Sequence, residues 1–242
     1  MAVALLLAGL AGFQCRWPGK ADGSLPFFKK ETAKEPEKLK LPGMVPEGTD
    51  LSAAITDCAG ALQLEELRPS AFGGAVNRSS AVVTVSGSFQ GLADFLACFA
   101  QGDGKWELGD LKIWRGPPKF FDYRMEVSLT AYHFVMVPGP DFPDRAAAEK
   151  WFQELPARVQ KEVGLLSGLY LAAEPSIELR EIALGKGQGS LSGRALSYED
   201  ISALMEELKS KGLVQNPRVE AIRLNQSRMV EKKQEFEIRF EW

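Results

Sequence analysis

Residues 62–67 read LQLEEL and residues 177–182 read IELREI: apolar, any, apolar, any, Glu, apolar in both. Six residues prove little alone. What constrains the fold is that the patterns around the two copies come in one order: helix, strand, strand, helix, strand, strand. In the first copy, Leu51, Ile55, Cys58, Ala59 and Leu62 recur at helical spacing behind Asp50, which suits an N-cap. LQLEEL is predicted as a strand ending at Arg68-Pro69, and SAFGGAVNRSS as a loop. In AVVTVSGSF, Val83, Val85, Gly87 and Phe89 fall on one side and Val82, Thr84, Ser86 and Ser88 on the other, which is strand alternation. Leu92, Phe95, Leu96 and Phe99 mark a second amphipathic helix closed by Gly102-Asp103-Gly104. WELGDLKIW is a third strand and GPPKF a turn. The clearest alternation follows, with Tyr123, Met125, Val127, Leu129 and Ala131 against Arg124, Glu126, Ser128 and Thr130.

The second copy opens at Asp144 with a helical stretch carrying Trp151, Leu155, Val159 and Leu166, in which Pro156 is expected to kink the helix or start a second one. IELREIAL is a strand. In GQGSLSGRAL, Leu191, Gly193 and Ala195 share a face. Ser197 and Asp200 have the spacing of a capping box, and Ile201, Leu204, Met205 and Leu208 form the stripe of the helix they start, which Gly212 stops. RVEAIRLNQ is a strand and Ser227 to Lys233 a turn. In FEIRFEW, Phe236, Ile238, Phe240 and Trp242 alternate with charged residues. Gly87 and Gly193 are taken to correspond, each in the strand before a second helix. The fold class expected is α+β: two tandem ferredoxin-like domains, each αββαββ, with a four-stranded antiparallel sheet and two helices on one face. Their bounds are 50–136 and 140–242.

Before them, residues 1–14 (MAVALLLAGLAGFQ) read as a signal-like segment or short membrane anchor, too short for a secure span. Residues 15–49 are rich in Pro, Lys and Glu and read as an extended tether whose lysines (Lys29, Lys30, Lys34, Lys38, Lys40) are interleaved with acids.

Chemistry is scarce. Net charge is −3, from 29 basic and 32 acidic residues, which does not point to a nucleic-acid partner. With one histidine, His133, and three scattered cysteines, Cys15, Cys58 and Cys98, a zinc site is not expected. Cys58 and Cys98 read as small buried hydrophobes, with a disulfide as the alternative in an oxidising compartment. His133 is expected at a strand end, on the surface or rim. The acid pairs Glu65-Glu66, Glu206-Glu207 and Asp141 near Asp144 suggest no facing carboxylates. GKGQGSLSG, residues 185–193, reads as a hairpin turn rather than a phosphate cradle. No catalytic, cofactor-binding or metal residue is predicted. The candidate interface is Trp106, Trp114, Phe120 and Phe121, around the last hairpin of the first block, where four large aromatics exceed what one small core needs.

LQLEELRPS followed by VVTVSGSFQGLADFL, WELGDLKIW and YRMEVSLTAY resembles the periplasmic domain of the type IV pilus assembly protein family PilO and its type II secretion relative GspM. IELREIAL, LSGRALSYEDISALMEEL, VEAIRL and FEIRFEW resemble the periplasmic domain of PilN, related in turn to GspL. The resemblance covers about residues 50 to 242. It implies a non-enzymatic scaffold on the periplasmic side of the bacterial inner membrane, with no cofactor. Its partners would be itself or other inner-membrane proteins of a pilus or secretion machine, with membrane association through the N-terminus. The family's N-terminal transmembrane helix and coiled coil are replaced here by a short apolar run and a proline-rich tether. The alternative is a ligand- or nucleic-acid-binding module on the same fold.

Overall fold

The computed structural model describes residues 35–72, 76–101, 106–115, 123–173, 177–224 and 233–242. Residues 35–242 form one compact unit. In chain order its elements are β1 (Glu37–Leu39), α1 (Leu51–Ala59), β2 (Gln63–Phe72), β3 (Val76–Gly87), α2 (Phe89–Gln101), β4 (Trp106–Arg115) and β5 (Tyr123–Val137), then α3 (Arg145–Ala173), β6 (Ile177–Gly185), β7 (Gln188–Ala195), α4 (Tyr198–Ser210), β8 (Gln215–Leu224) and β9 (Gln234–Glu241).

The helices start where the side chains dictate. The Asp50 carboxylate accepts from the Ser52 amide at 2.9 Å, and the Asp144 carboxylate from the Ala147 amide at 2.7 Å. Ser197 and Asp200 form a full capping box. Each such cap satisfies amides that the first helical turn leaves unpaired. Pro156 neither breaks α3 nor begins a new helix: the element runs unbroken through it for 29 residues. Phe152, Leu155 and Val159, all buried around it, anchor this stretch by packing. The Lys186-Gly187 link between β6 and β7 has both residues at positive φ, 47° and 77°. That is the two-residue turn whose twist suits an antiparallel hairpin, as GKGQGSLSG predicts.

The sheet differs from two separate four-stranded sheets. All the strands among the described residues belong to one antiparallel nine-stranded sheet, in the order β2-β3-β5-β4-β6-β7-β9-β8, with β1 on the end of β5. The halves meet at β4 and β6, through the four register pairs Leu111–Leu184, Lys112–Ala183, Ile113–Ile182 and Trp114–Glu181. An edge of one half has simply been satisfied by an edge of the other, which removes two exposed strand edges at once. One core cluster crosses this seam, with Leu92, Phe95, Met125 and Leu129 from the first half and Leu166, Leu191, Ile201 and Ile238 from the second. A smaller cluster gathers Leu39, Leu41, Tyr132, Val135, Phe142 and Phe152.

Three sequence expectations are corrected here. The strand expected to stop at Arg68-Pro69 continues to Phe72 and pairs with β3 from Arg78. Much of SAFGGAVNRSS is therefore hairpin; Pro69 is tolerated because β2 is an outer strand. Secondly, residues 35–49 are not an extended tether: Leu39, Leu41 and Val45 are buried, and β1 pairs with Leu39 opposite Val135. Residues 1–34, with the signal-like segment, Cys15 and the rest of the tether, lie outside the described residues. Lastly, Gly87 and Gly193 lie in equivalent strands but not at equivalent places. Gly193 stands opposite Leu179, whereas Val85 stands opposite Leu64, its counterpart in the echo.

Candidate interaction surface

Of the four aromatics singled out in the sequence, the structure buries one, exposes part of another and describes neither of the rest. Trp106 is 6% exposed and meets Phe99 edge-on, with centroids 5.1 Å apart. Trp114 is half-buried at the seam, opposite Arg124 on one side and Glu181 on the other. Phe120 and Phe121 lie outside the described residues. Trp106 and Trp114 have the same sequence parity, which in a regular strand puts them on one face. A register shift between Leu108 and Leu111 breaks that parity. Trp106 consequently joins Leu108, Leu111 and Ile113 in the core, and Trp114 does not.

The helix-free face of the sheet is charged and cross-linked by ions. Arg124 meets Glu65 at 3.1 Å and Arg68 meets Glu126 at 3.0 Å. Arg180 and Arg194 converge on Glu235 at 2.9 and 3.0 Å. Across the seam, Lys112 pairs with Glu181 at 3.0 Å and Arg115 with Glu178 at 3.3 Å. Such half-exposed pairs are worth little individually, about 0–1 kcal/mol. They do fix register, since a slipped strand would place like charges together.

The acid pairs noted in the sequence do not converge on a reacting centre. Glu65 and Glu66 go to Arg124 and Arg68, Glu207 to Lys211, and Asp144 caps α3. His133 is not on the rim. It is 5% exposed within β5, its Nδ1 donating to the Val45 carbonyl at 2.9 Å and its Nε2 accepting from Ser79 Oγ at 2.7 Å. The strand runs four residues beyond it to Val137, where β3 pairs with Phe134 and Val135 and β1 with Val135 to Val137. The histidine thus pins residues 35–49 to the fold.

A cavity of about 350 Å³ opens where β4 and β6 diverge beyond the four seam pairs; Glu107, Asp110, Arg158, Glu162 and Trp242 are among its lining. Burial, then the Glu107 charge, raise the Glu162 carboxyl to about 7 against the pull of Arg158 and Lys161. Tyr132 donates to Glu107 at 2.5 Å, and burial with that carboxylate holds the phenol above its usual range. Glu107 and Glu162 come from different halves of the chain, so no sequence spacing could have joined them. Among the described residues, no group of three or more His, Cys, Asp or Glu is arranged to hold a metal ion, and every buried side-chain nitrogen or oxygen has a hydrogen-bond partner.

Cys58 on α1 and Cys98 on α2 are joined in a disulfide, with Cα atoms 5.8 Å apart. Among the described residues no helix is long and apolar enough to cross a membrane.

Residues 165–242, from the second half of α3 to the end of the chain, match the family model of the fimbrial assembly protein PilN. No curated protein matches. Among solved structures, the chain is similar to the type 4 fimbrial biogenesis protein PilO from Pseudomonas aeruginosa. The identity is 19% over 37% of this chain and 73% of that one, with a TM-score of 0.34. On the family match, residues 165–242 of this chain are PilN-like.

Proposed function

We propose that this protein is a non-enzymatic scaffold component of an inner-membrane platform that assembles a type IV pilus or a type II secretion system, acting by protein–protein pairing on the periplasmic side. The observation that carries this is the PilN match over residues 165–242. The Cys58–Cys98 disulfide supports the compartment, because such bonds persist where thiols are not kept reduced. We read residues 50–136 and 140–242 as two ferredoxin-like units fused edge to edge. In support, each half places its first, second, fourth and third strands side by side, the order of a ferredoxin-like sheet permuted to begin with a helix. One chain then carries internally a pairing between PilO-like and PilN-like units.

The charged sheet face and half-exposed Trp114 form the surface offered to partners. The test is fractionation of the native cell with the tagged full chain, followed by identification of co-purifying proteins. Recovery in the inner-membrane fraction with pilus or secretion platform proteins is expected. Recovery as a cytosolic monomer with free Cys58 and Cys98 thiols would overturn the reading.

A further inference from the structure

We propose that copies of this chain add head to tail, the β8 edge of one pairing with the β2 edge of the next in the register of the internal β4–β6 seam. This deepens the assembly reading above and rests on it. Among the described residues, β2 and β8 are the two outer strands of the sheet. β2 holds in the first half the place that β6 holds in the second, and β8 holds the place of β4. The seam already joins a β4-type edge to a β6-type edge. The molecule therefore ends in the two complementary halves of a contact it has made once.

Register turns that likeness into residue pairs. Leu64 faces Val85, which faces Met125; Leu179 faces Gly193, which faces Phe236. Met125 faces Ile113 on β4, and Phe236 faces Ile222 on β8, so Ile222 is the counterpart of Ile113 and Arg223 that of Trp114. By the echo, Leu67 is the counterpart of Ile182 and Glu66 that of Glu181. Within the chain, Ile113 pairs with Ile182 and Trp114 with Glu181. Between copies, Ile222 then pairs with Leu67 and Arg223 with Glu66.

Both pairs fit. Ile113 and Ile182 are each 2% exposed, whereas Ile222 is 38% exposed and Leu67 is half-buried. The outer edges thus leave partly open the apolar pair that the seam hides. Arg223 and Glu66, both exposed, are opposite in charge, as Lys112 and Glu181 are at the seam. Pro69 takes the place of Leu184 and has no amide hydrogen to donate, and β8 has a register shift between Val219 and Ala221. Both make the contact between copies weaker than the seam, hence reversible. A contact between two different edges continues into a ring or filament rather than stopping at a dimer.

The test uses the full chain in a Cys15→Ser background under mild oxidation. A mixture of the single variants Leu67→Cys and Ile222→Cys is expected to give a cross-linked dimer. The double variant should give a ladder. In sedimentation, Glu66→Arg should raise the concentration at which copies assemble by at least ~10-fold. Adding Arg223→Glu to the same chain should restore it. Thermal melts of each variant establish that the fold is intact. Cross-links only between like positions, no ladder at up to about 1 mM protein, or no rescue by the charge swap would overturn the edge geometry. Those results with platform proteins still co-purifying sink only this inference, whereas loss of the platform proteins sinks the assembly reading.

Discussion

Glu162 shows what one residue's surroundings decide. Its carboxyl is raised to about 7 by burial and by Glu107, so the folded protein holds its proton where the unfolded chain, near 4.5, has lost it. A raised carboxyl contributes stability that is complete below about pH 4.5 and is lost as pH rises through about 7. Glu162→Gln keeps the shape and removes the charge. It should match the parent near pH 4.5 and exceed it at pH 8 by on the order of 2 kcal/mol in urea unfolding. A difference that does not change with pH would show that Arg158 and Lys161 neutralise the group. Glycine offers a second test at this scale. A Cβ at Gly193 would sit 2.7 Å from the Glu178 carbonyl oxygen and 2.9 Å from the Phe236 ring. Neither the backbone nor a buried ring gives way cheaply, so Gly193→Ala should cost about 1–3 kcal/mol. At Gly164, inside α3, nothing lies within 4 Å, and Gly164→Ala should gain about 0.5–1 kcal/mol from helix propensity. Paired thermal melts moving in opposite directions check both.

At the scale of elements, the echo that first suggested duplication has a physical cause. Leu64 and Leu67 are three apart, as are Leu179 and Ile182, and strict alternation cannot put both members of either pair on one face. A register shift falls between Leu64 and Glu66 and between Leu179 and Glu181, the same place in both copies. LQLEEL and IELREI are therefore strands with a built-in bulge, and the spacing from Leu108 to Leu111 is the same device on β4. The strands and their order were legible in the sequence, but the bulges were not read there, and Trp106 and Trp114, grouped together by sequence, separate because of one. Nor was the extension of β5 past His133 legible, because it is paired by the start of β3, read as loop in the sequence, and by β1, whose three residues carry no strand alternation of their own. The Cys58–Cys98 bond was named in the sequence only as the alternative to two buried thiols, since the packing of α1 on α2 is what brings the two thiols together. Those cysteines are 40 residues apart, and by chain entropy closing a loop of that size stabilises by about 4 kcal/mol. Cys58→Ser with Cys98→Ser should lower unfolding free energy by about 2–4 kcal/mol. Reductant should then lower the guanidinium midpoint of the parent and leave the double variant unmoved. Equal sensitivity of both proteins would show that the bond is absent.

At the scale of the whole molecule, the question is whether two halves that share a sheet also share a transition. The seam is short, with four register pairs against twelve between β3 and β5, and taken alone it would be a weak hinge. The core decides otherwise: one apolar cluster runs under the seam from α1 and α2 to α4. Removing either half would strip cover from buried residues of the other, Leu166 and Leu169 of α3 among them. Phe89 of α2 stacks on Tyr170 of α3 at 4.1 Å, joining the halves away from the sheet as well. Coupling through packed apolar surface of this kind yields all-or-none unfolding even when the strand pairing between the parts is brief. Residues 35–242 should accordingly unfold in one urea transition, with amide exchange of β3 and β9 governed by a single opening free energy. Ile182→Asp, which buries a charge against Ile113, attacks the seam while leaving each half's own helices in place. It should split that transition in two, with β7 and β9 exchanging apart from β3 and β5. Two transitions already present in the parent would show that the halves are independent bodies sharing only a strand contact.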